Sequence, residues 1–316
     1  MVTTTAIVFG PTGHVGCAAA RIAHQHGARV VLALRDTQKP VPGLSLEQEK
    51  AGGFERVQAD LTKPETVYAA VQATGAKRAF IYLVQGTTDH MRRTIEALKS
   101  SGIELVVFLS SISVHGDIRS IPQTDFIAYS HAQVEVNLDE VFGSDGYIVI
   151  RPAYFSTNAG WWAGMIREGE VQLTYPDAKL DWISPEDIGS AAGTLLVRGM
   201  QATEGAKARN SIPLCGPKLV SQRDAVGVFS KALGKDIKVI EGDEKEGIEN
   251  LLKIGVPEFV SRRVVESLRP KERRGDDFDP FEGEMYTQAA ANLQRYAGQA
   301  SSLEEWAEAN KAVFSA

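Results

Sequence analysis

The 316-residue chain carries 34 Lys and Arg against 40 Asp and Glu, a formal charge of −6, with 43% hydrophobic and 23% charged residues. That length allows one large unit or two joined lobes whose core needs no disulfide or structural metal, and the acidic balance argues against a nucleic-acid or anionic-lipid surface. No apolar run nears the roughly 18–20 residues of a bilayer span, the Met1-Val2-Thr3-Thr4-Thr5 start lacks the features of a secretory signal, and Cys17 and Cys215 have neither metal nor redox spacing.

A cytoplasmic protein with no direct nucleic-acid and no membrane partner is therefore expected, as a monomer or homodimer. Ala6 to Phe9 reads as a buried strand, Val15 to Gln25 as a helix and Arg29 to Leu34 as a second strand. Phe54 to Ala59 makes a third strand, Pro64 to Ala73 a helix and Ala79 to Val84 a fourth strand. Arg92 to Lys99 lies in the next helix, followed by a strand at Leu105 to Leu109, a helix at His131 to Phe142 and a strand at Tyr147 to Ile150. Short apolar strands separated by helices predict a parallel sheet covered on both faces. Six such units predict an α/β, doubly wound (Rossmann) domain over residues 1–152.

After Arg151-Pro152 the rhythm breaks. Ser184-Pro185-Glu186-Asp187 is a helix start, and Ser221 to Asp224 and Ser302 to Glu305 read as capping boxes. Isolated strands are expected at Ser211 to Leu214 and Ile237 to Ile240, and a loop from Arg269 to Glu284. Residues 153–316 should thus form a smaller, helix-rich lobe over the substrate, with some elements returning to the Rossmann core. His24 and His26 flank Gly27 at a helix end and read as solvated, and Asp276-Asp277 with Asp279 lack the rest of a calcium loop, so no metal site is expected.

Gly10-Pro11-Thr12-Gly13-His14-Val15-Gly16 directly follows the first strand and opens the first helix. In that setting Gly10 permits a tight turn, Gly13 lets backbone approach a pyrophosphate, and Gly16 allows close helix–strand packing, with helix N–H groups facing the anion. Arg35 ends the second strand, 19 residues past Gly16. An acid there favours NAD(H); an arginine pairs with a 2′-phosphate, so NADP(H) is preferred over NAD(H). Asp36 restores some NAD affinity if it points inward, and Lys39 either adds charge or is a solvated loop lysine. Asp60-Leu61 ends the third strand, placed either to meet the adenine or to lead into the helix at Pro64.

On these residues the chain resembles the NmrA-like group of atypical short-chain dehydrogenase/reductases. The resemblance runs through Gly10–Gly16, Arg35-Asp36, Leu109-Ser110-Ser111, His131 to Leu138, Ile150 to Asn158 and Asp181 to Ile188. Tyr296-Ala297-Gly298 through Phe314 looks like the group's C-terminal helix. The resemblance implies that the loop after Val84 (Val84, Gln85), Ser110-Ser111 and Pro152, Ala153, Tyr154 and Phe155 line the cofactor. It also implies candidate catalytic residues. Ser111 corresponds to the serine that polarises a carbonyl and Tyr129 to the proton-donating tyrosine, but the lysine expected four residues on is Gln133. Without that cation the phenol is a weak acid–base group at neutral pH.

Ser130 and Gln133 also fit an S-x-x-Q capping box that leaves Tyr129 packed just outside the helix as a hydrophobic staple. A start near Thr124-Asp125 instead puts it inside. His131 either relays a proton or pairs with Glu135 one turn on, and His115 is a weaker candidate. Tyr154, Phe155, Trp161, Trp162 and Trp182 gather aromatic surface beyond the sixth strand, where ligands bind in this topology. Adjacent tryptophans on a helix point about 100° apart, so one of Trp161 and Trp162 is free to face a pocket. The three tryptophans are candidate contacts for a flat, hydrophobic or aromatic substrate, and ordinary core is the other reading.

The expected function is NADPH-dependent reduction of a hydrophobic or aromatic ketone, enone, quinone or imine. The alternatives are a non-catalytic NADP(H)-sensing regulator and an NADP-retaining isomerase or dehydratase.

Overall fold

A computed structural model describes residues 4–204, 210–270 and 278–315. Its β-branched, apolar runs form strands β1 (Thr5–Phe9), β2 (Arg29–Leu34), β3 (Glu55–Gln58), β4 (Arg78–Tyr82), β5 (Leu105–Leu109), β6 (Tyr147–Pro152), β7 (Glu170–Leu173), β8 (Lys179–Leu180), β9 (Ser211–Leu214), β10 (Val220–Ser221) and β11 (Lys238–Glu241). Seven of them make one sheet in the order β3-β2-β1-β4-β5-β6-β9, parallel at every pairing. The order reverses at β1, and crevices at such switch points, outside the strands' carboxyl ends, are where this topology binds ligands.

Ile7, Val31, Ala79, Ile81, Val106, Phe108 and Val149 fill one face of the sheet and are buried to 2% exposure or less. Each such Val, Ile or Phe is worth roughly 1.5–3 kcal/mol of burial. Helices α1 (His14–Gln25), α2 (Leu46–Gly52), α3 (Pro64–Thr74), α4 (Arg92–Ser100) and α5 (Phe126–Phe142) alternate with the strands.

The chain forms two compact units interleaved along the sequence. The first takes Met1–Pro152, Pro185–Leu214 and Ala291–Gln299; the second takes Ala153–Ser184, Cys215–Ala290 and Ala300–Ala316. After a short α6 (Ala163–Glu168), α7 (Pro185–Arg198) rejoins the first unit against α1. The two helices meet through small residues. A Cβ added at Gly189 would stand 2.4 Å from the Val15 carbonyl oxygen and 2.5 Å from the Ala18 Cβ, and one at Gly193 2.6 Å from the Ala19 carbonyl oxygen. Strand β9, expected as an isolated strand, is instead the edge strand of the main sheet, paired with β6. Sequence periodicity carries no information about that long-range pairing.

The second unit is built on an aromatic core of Trp162, Trp182, Phe229, Trp306 and Phe314. It also contains the parallel β7–β11 pair and the antiparallel β8–β10 pair. Of its helices, α8 (Gln222–Leu233) packs on β7 and β10, while α9 (Glu244–Lys253) and α10 (Glu258–Ser267) pack on each other. At the start of α8 the Ser221 hydroxyl accepts from the Asp224 N–H as expected, but Asp224 answers through the Ser221 hydroxyl rather than its N–H. The Ser302–Glu305 box is complete.

Two helix boundaries differ from expectation. Helix α5 begins at Phe126, five residues before His131, because Asp125 accepts from the Ala128 N–H and supplies the cap. Ser130 and Gln133 therefore form no capping box, and Tyr129 lies inside the helix. The segment from Tyr296 to Phe314 is not one helix: the helix over Gly283–Ala297 stops at Gly298 (φ +82°), and two short helices follow at Leu303–Asn310 and Ala312–Ser315. Of the expected loop from Arg269 to Glu284, Gly283 and Glu284 are helical, and residues 271–277, including Asp276 and Asp277, lie outside the described residues. No described helix is long and apolar enough to cross a membrane.

Candidate functional site

The turn between β1 and α1 is shaped by what a side chain would strike. Gly10 has φ +70°, and a Cβ there would stand 2.5 Å from the ring of Tyr82 at the end of β4. At Gly16 a Cβ would stand 2.3 Å from the Gly10 carbonyl oxygen, so only glycine lets the helix come this close to the turn. Gly13 differs: a Cβ would meet nothing nearer than the Gly10 oxygen at 3.6 Å. Gly13 is also the N-cap of α1, which has no capping side chain and no acid in its first turn. Among the described residues no side chain caps the first-turn N–H groups of His14, Val15 and Gly16, an arrangement suited to an anion. The His14 ring itself turns to Glu186 on α7, Nδ1 to Oε1 3.3 Å.

A cleft of about 260 Å³ opens beside this turn. It brings together Gly10, Thr12, Arg35, Asp60, Leu61, Val84 and Gln85, all expected to bind cofactor, with Asp36 and Lys39. Among the described residues neither the Arg35 guanidinium nor the Lys39 ammonium makes a hydrogen bond or ion pair. The nearby acids are engaged locally. Asp36 accepts from the Gln38 N–H at 3.0 Å, and Asp60 accepts from the Thr62 N–H at 2.9 Å and its hydroxyl at 2.8 Å. Burial works against ionisation of Asp60, but the Thr62 bonds, with Arg35 and Lys63 nearby, hold its pKa below the usual carboxylate range.

Two unpaired cations, Arg35 just past β2 and Lys39 in the loop that follows, fit the 2′-phosphate of NADP(H), and the uncapped first turn of α1 fits its pyrophosphate. Tyr82 and Leu83, which also line the cleft, were missed. The signal for Tyr82 is an aromatic residue ending the strand beside Gly10, and burial pushes its phenol pKa up.

The candidate catalytic residues lie at the ends of β5 and α5. Ser111 and Ser113 share a hydroxyl hydrogen bond of 2.9 Å. Tyr129 accepts from the Gln123 amide at 3.2 Å and meets the His90 ring edge-on, with centroids 5.5 Å apart. His131 does not pair with Glu135. Its Nδ1 lies 2.8 Å from the Ile127 carbonyl oxygen, which only accepts, so Nδ1 carries the proton and Nε2 the lone pair. Burial depresses the His131 pKa, favouring the neutral ring. Glu135 is buried instead against Arg151 of β6, which donates through Nε at 3.1 Å and through Nη2. It also accepts from the Ser110 hydroxyl at 2.5 Å. The Ser110 side chain, expected at the cofactor, is thus turned to Glu135.

Ala153, Tyr154 and Phe155 follow Pro152, the last residue of β6, in the second unit. The Tyr154 N–H donates to Asp181, and Phe155 bridges to Ile183. Asp181 is 1% exposed, its partners among the described residues are N–H groups, and burial pushes its pKa up to about 7. Trp161 and Trp162 sit at the end of a 3-10 turn over Ser156–Trp162, Trp161 half-buried and Trp162 buried. With Tyr154 and Met165 they wall a pocket of about 50 Å³ whose other side carries Gln172, Asn250 and Leu251. Trp182 lies in the core with φ +47°, its indole N–H donating to the Val220 carbonyl at 2.9 Å.

The model of the NmrA-like family matches residues 2–307. A nitrogen metabolite regulation-like protein, bik4, of Gibberella fujikuroi is 37% identical over 277 residues, covering 83% of this chain and 84% of that protein. An NADPH-dependent quinone oxidoreductase of Escherichia coli, solved with NADPH, superposes with a TM-score of 0.70 at 19% identity, covering 97% of this chain and 99% of the other. NmrA, a negative transcriptional regulator, superposes at 0.69 with 16% identity, covering 97% and 95%.

Proposed function

This chain belongs to the NmrA-like family, and on that premise we propose that it is an NADPH-dependent oxidoreductase reducing a hydrophobic or aromatic ketone, enone, quinone or imine. The observation that carries the reading is the cleft beside β1 and α1. Gly10, Pro11 and Thr12, the turn that leads into the uncapped helix, line it together with two unpaired cations, Arg35 and Lys39, a combination that a merely structural turn does not need. Bound there, the cofactor supplies the hydride, and the chain's task is to hold and orient it. The N–H groups of His14 to Gly16 hold the pyrophosphate, and Arg35 with Lys39 holds the 2′-phosphate. The neutral His131 ring has its lone pair at Nε2, free to accept from and so orient the group that delivers the proton, Tyr129 or water. Trp161 and Trp162 offer aromatic surface to a flat substrate. The quinone oxidoreductase likeness supports the substrate class.

Calorimetry with NADPH and NADH, followed by oxidation of bound NADPH across quinones, enones, ketones and imines, tests the proposal. NADPH should bind the more tightly, and at least one acceptor class should turn over. Tight binding with no turnover on any class would leave the second reading, a cofactor-sensing regulator. That reading is favoured by Gln133 in place of the lysine and by the likeness to NmrA. It requires a partner protein whose affinity differs between the NADP⁺ and NADPH forms.

A further inference from the structure

The Glu135 carboxylate lies at the junction of three elements and is 2% exposed. It accepts from Ser110, just past β5, and from both Nε and Nη2 of Arg151 on β6, while its own backbone belongs to α5. Taking two charges out of water is costly and a poor route to stability, since apolar residues of similar size usually do as well. What such a pair does supply is direction: a bidentate guanidinium–carboxylate contact fixes geometry in a way that dispersion does not.

The residues around it are the candidate catalytic ones. Ser111 is the neighbour of Ser110, and successive side chains in extended backbone leave on opposite sides, so holding Ser110 toward Glu135 turns Ser111 away to its contact with Ser113. His131 precedes Glu135 by one helical turn and shares its face of α5, with its ring 6.3 Å from that of Phe108 in β5.

We propose that Glu135 is the positioning residue of this site: by tying Ser110 and Arg151 to α5 it sets where Ser111 and His131 stand. The inference rests on the reductase reading for its consequence in catalysis, but its geometry is testable without any substrate.

The test uses the full chain and three variants: Glu135→Met, Arg151→Met and the double variant. Each single variant leaves one buried charge bare and should melt well below the parent, whereas the double variant should recover most of the loss. With NADPH and 1,4-naphthoquinone as the probe pair, the double variant should keep its KM for NADPH within about twofold while kcat falls by on the order of tenfold or more, the mark of misplaced groups rather than lost binding. Nitrogen-15 spectra of the His131 ring supply a readout independent of turnover. The parent should show distinct Nδ1–H and Nε2 signals, and in the double variant both should shift as α5 moves against β5 and the ring's seat beside Phe108 changes.

A double variant that recovers its melting temperature with His131 signals and kcat unchanged would overturn the proposal, since the pair would then be structural only. Absence of turnover in the parent would count against the reductase reading alone. The imidazole signals would still decide whether Glu135 positions the site.

Discussion

The Asp181 carboxylate accepts the backbone N–H of Tyr154 at 2.8 Å, and its second oxygen accepts that of Gly216 at the same distance. One buried acid thus ties together two segments of the second unit that are far apart in sequence. Its partners are dipoles rather than cations, so desolvation dominates and raises its pKa from 3.8 to about 7. The folded chain therefore holds a proton that the unfolded chain has released between those values. The resulting contribution to stability is full below pH 4 and is lost as pH rises through 7. Denaturant midpoints measured across this window should fall with pH from this group, and Asp181→Asn should remove that component of the slope. An unaltered slope in the variant would mean that Asp181 is not the group responsible.

On the proposed function, Arg35 is the side chain on which cofactor choice should turn. A hydrogen-bonded charge contact contributes about 1.5–3 kcal/mol, so Arg35→Ala should weaken NADPH by about 10- to 100-fold while moving NADH by less than about threefold. Calorimetry with both nucleotides checks it. An equal loss for the two would place Arg35 away from the 2′-phosphate.

At Gly10 two penalties coincide. The positive φ costs an alanine about 1–2 kcal/mol, and its methyl would strike the Tyr82 ring. Gly10→Ala should lower the melting temperature and weaken both nucleotides, and adding Tyr82→Leu should return part of the loss. If the second change adds nothing, the ring is not what excludes the methyl.

The α1–α7 contact makes a third demand on glycine. Gly189→Val should cost about 1–3 kcal/mol from overpacking and, by displacing the helix that carries His14 to Gly16, should also weaken NADPH. Gly227→Ala, on α8 where a Cβ has no neighbour within 4 Å, is the control and should be neutral or slightly stabilising. Thermal melts and calorimetry on the two variants separate local packing from a generic glycine effect.

Much of the first unit was legible because its signals are local. The strand–glycine–helix order around Gly10 to Gly16 needs no distant partner, and Arg35 is read from its distance along the chain. What stayed hidden depends on tertiary contact. Ser130 and Gln133 mimic a capping box, but Asp125 starts the helix earlier, and a helix once begun absorbs the later signal. Glu135 sits one turn past His131 in the sequence, yet its partner is Arg151, brought near only by the pairing of β5 with β6. Trp182 looked available for a ligand, and nothing in its neighbours announced the left-handed backbone and buried indole it adopts. Lys39 could not be told from an ordinary loop lysine until it was found lining the same cleft as Arg35.

The placement of β9 has a consequence for biosynthesis. Because the seventh strand comes from Ser211–Leu214 and α7 from Pro185–Arg198, a nascent chain that has released only the residues up to Pro152 has an open β6 edge and an α1 flank of Ala18, Ala19 and Ala23 with nothing packed on it. Such an edge is a template for wrong pairing. The seven-stranded sheet should close only after Leu214 has left the ribosome, and a fragment cut at Pro152 should aggregate rather than yield an autonomous nucleotide-binding module.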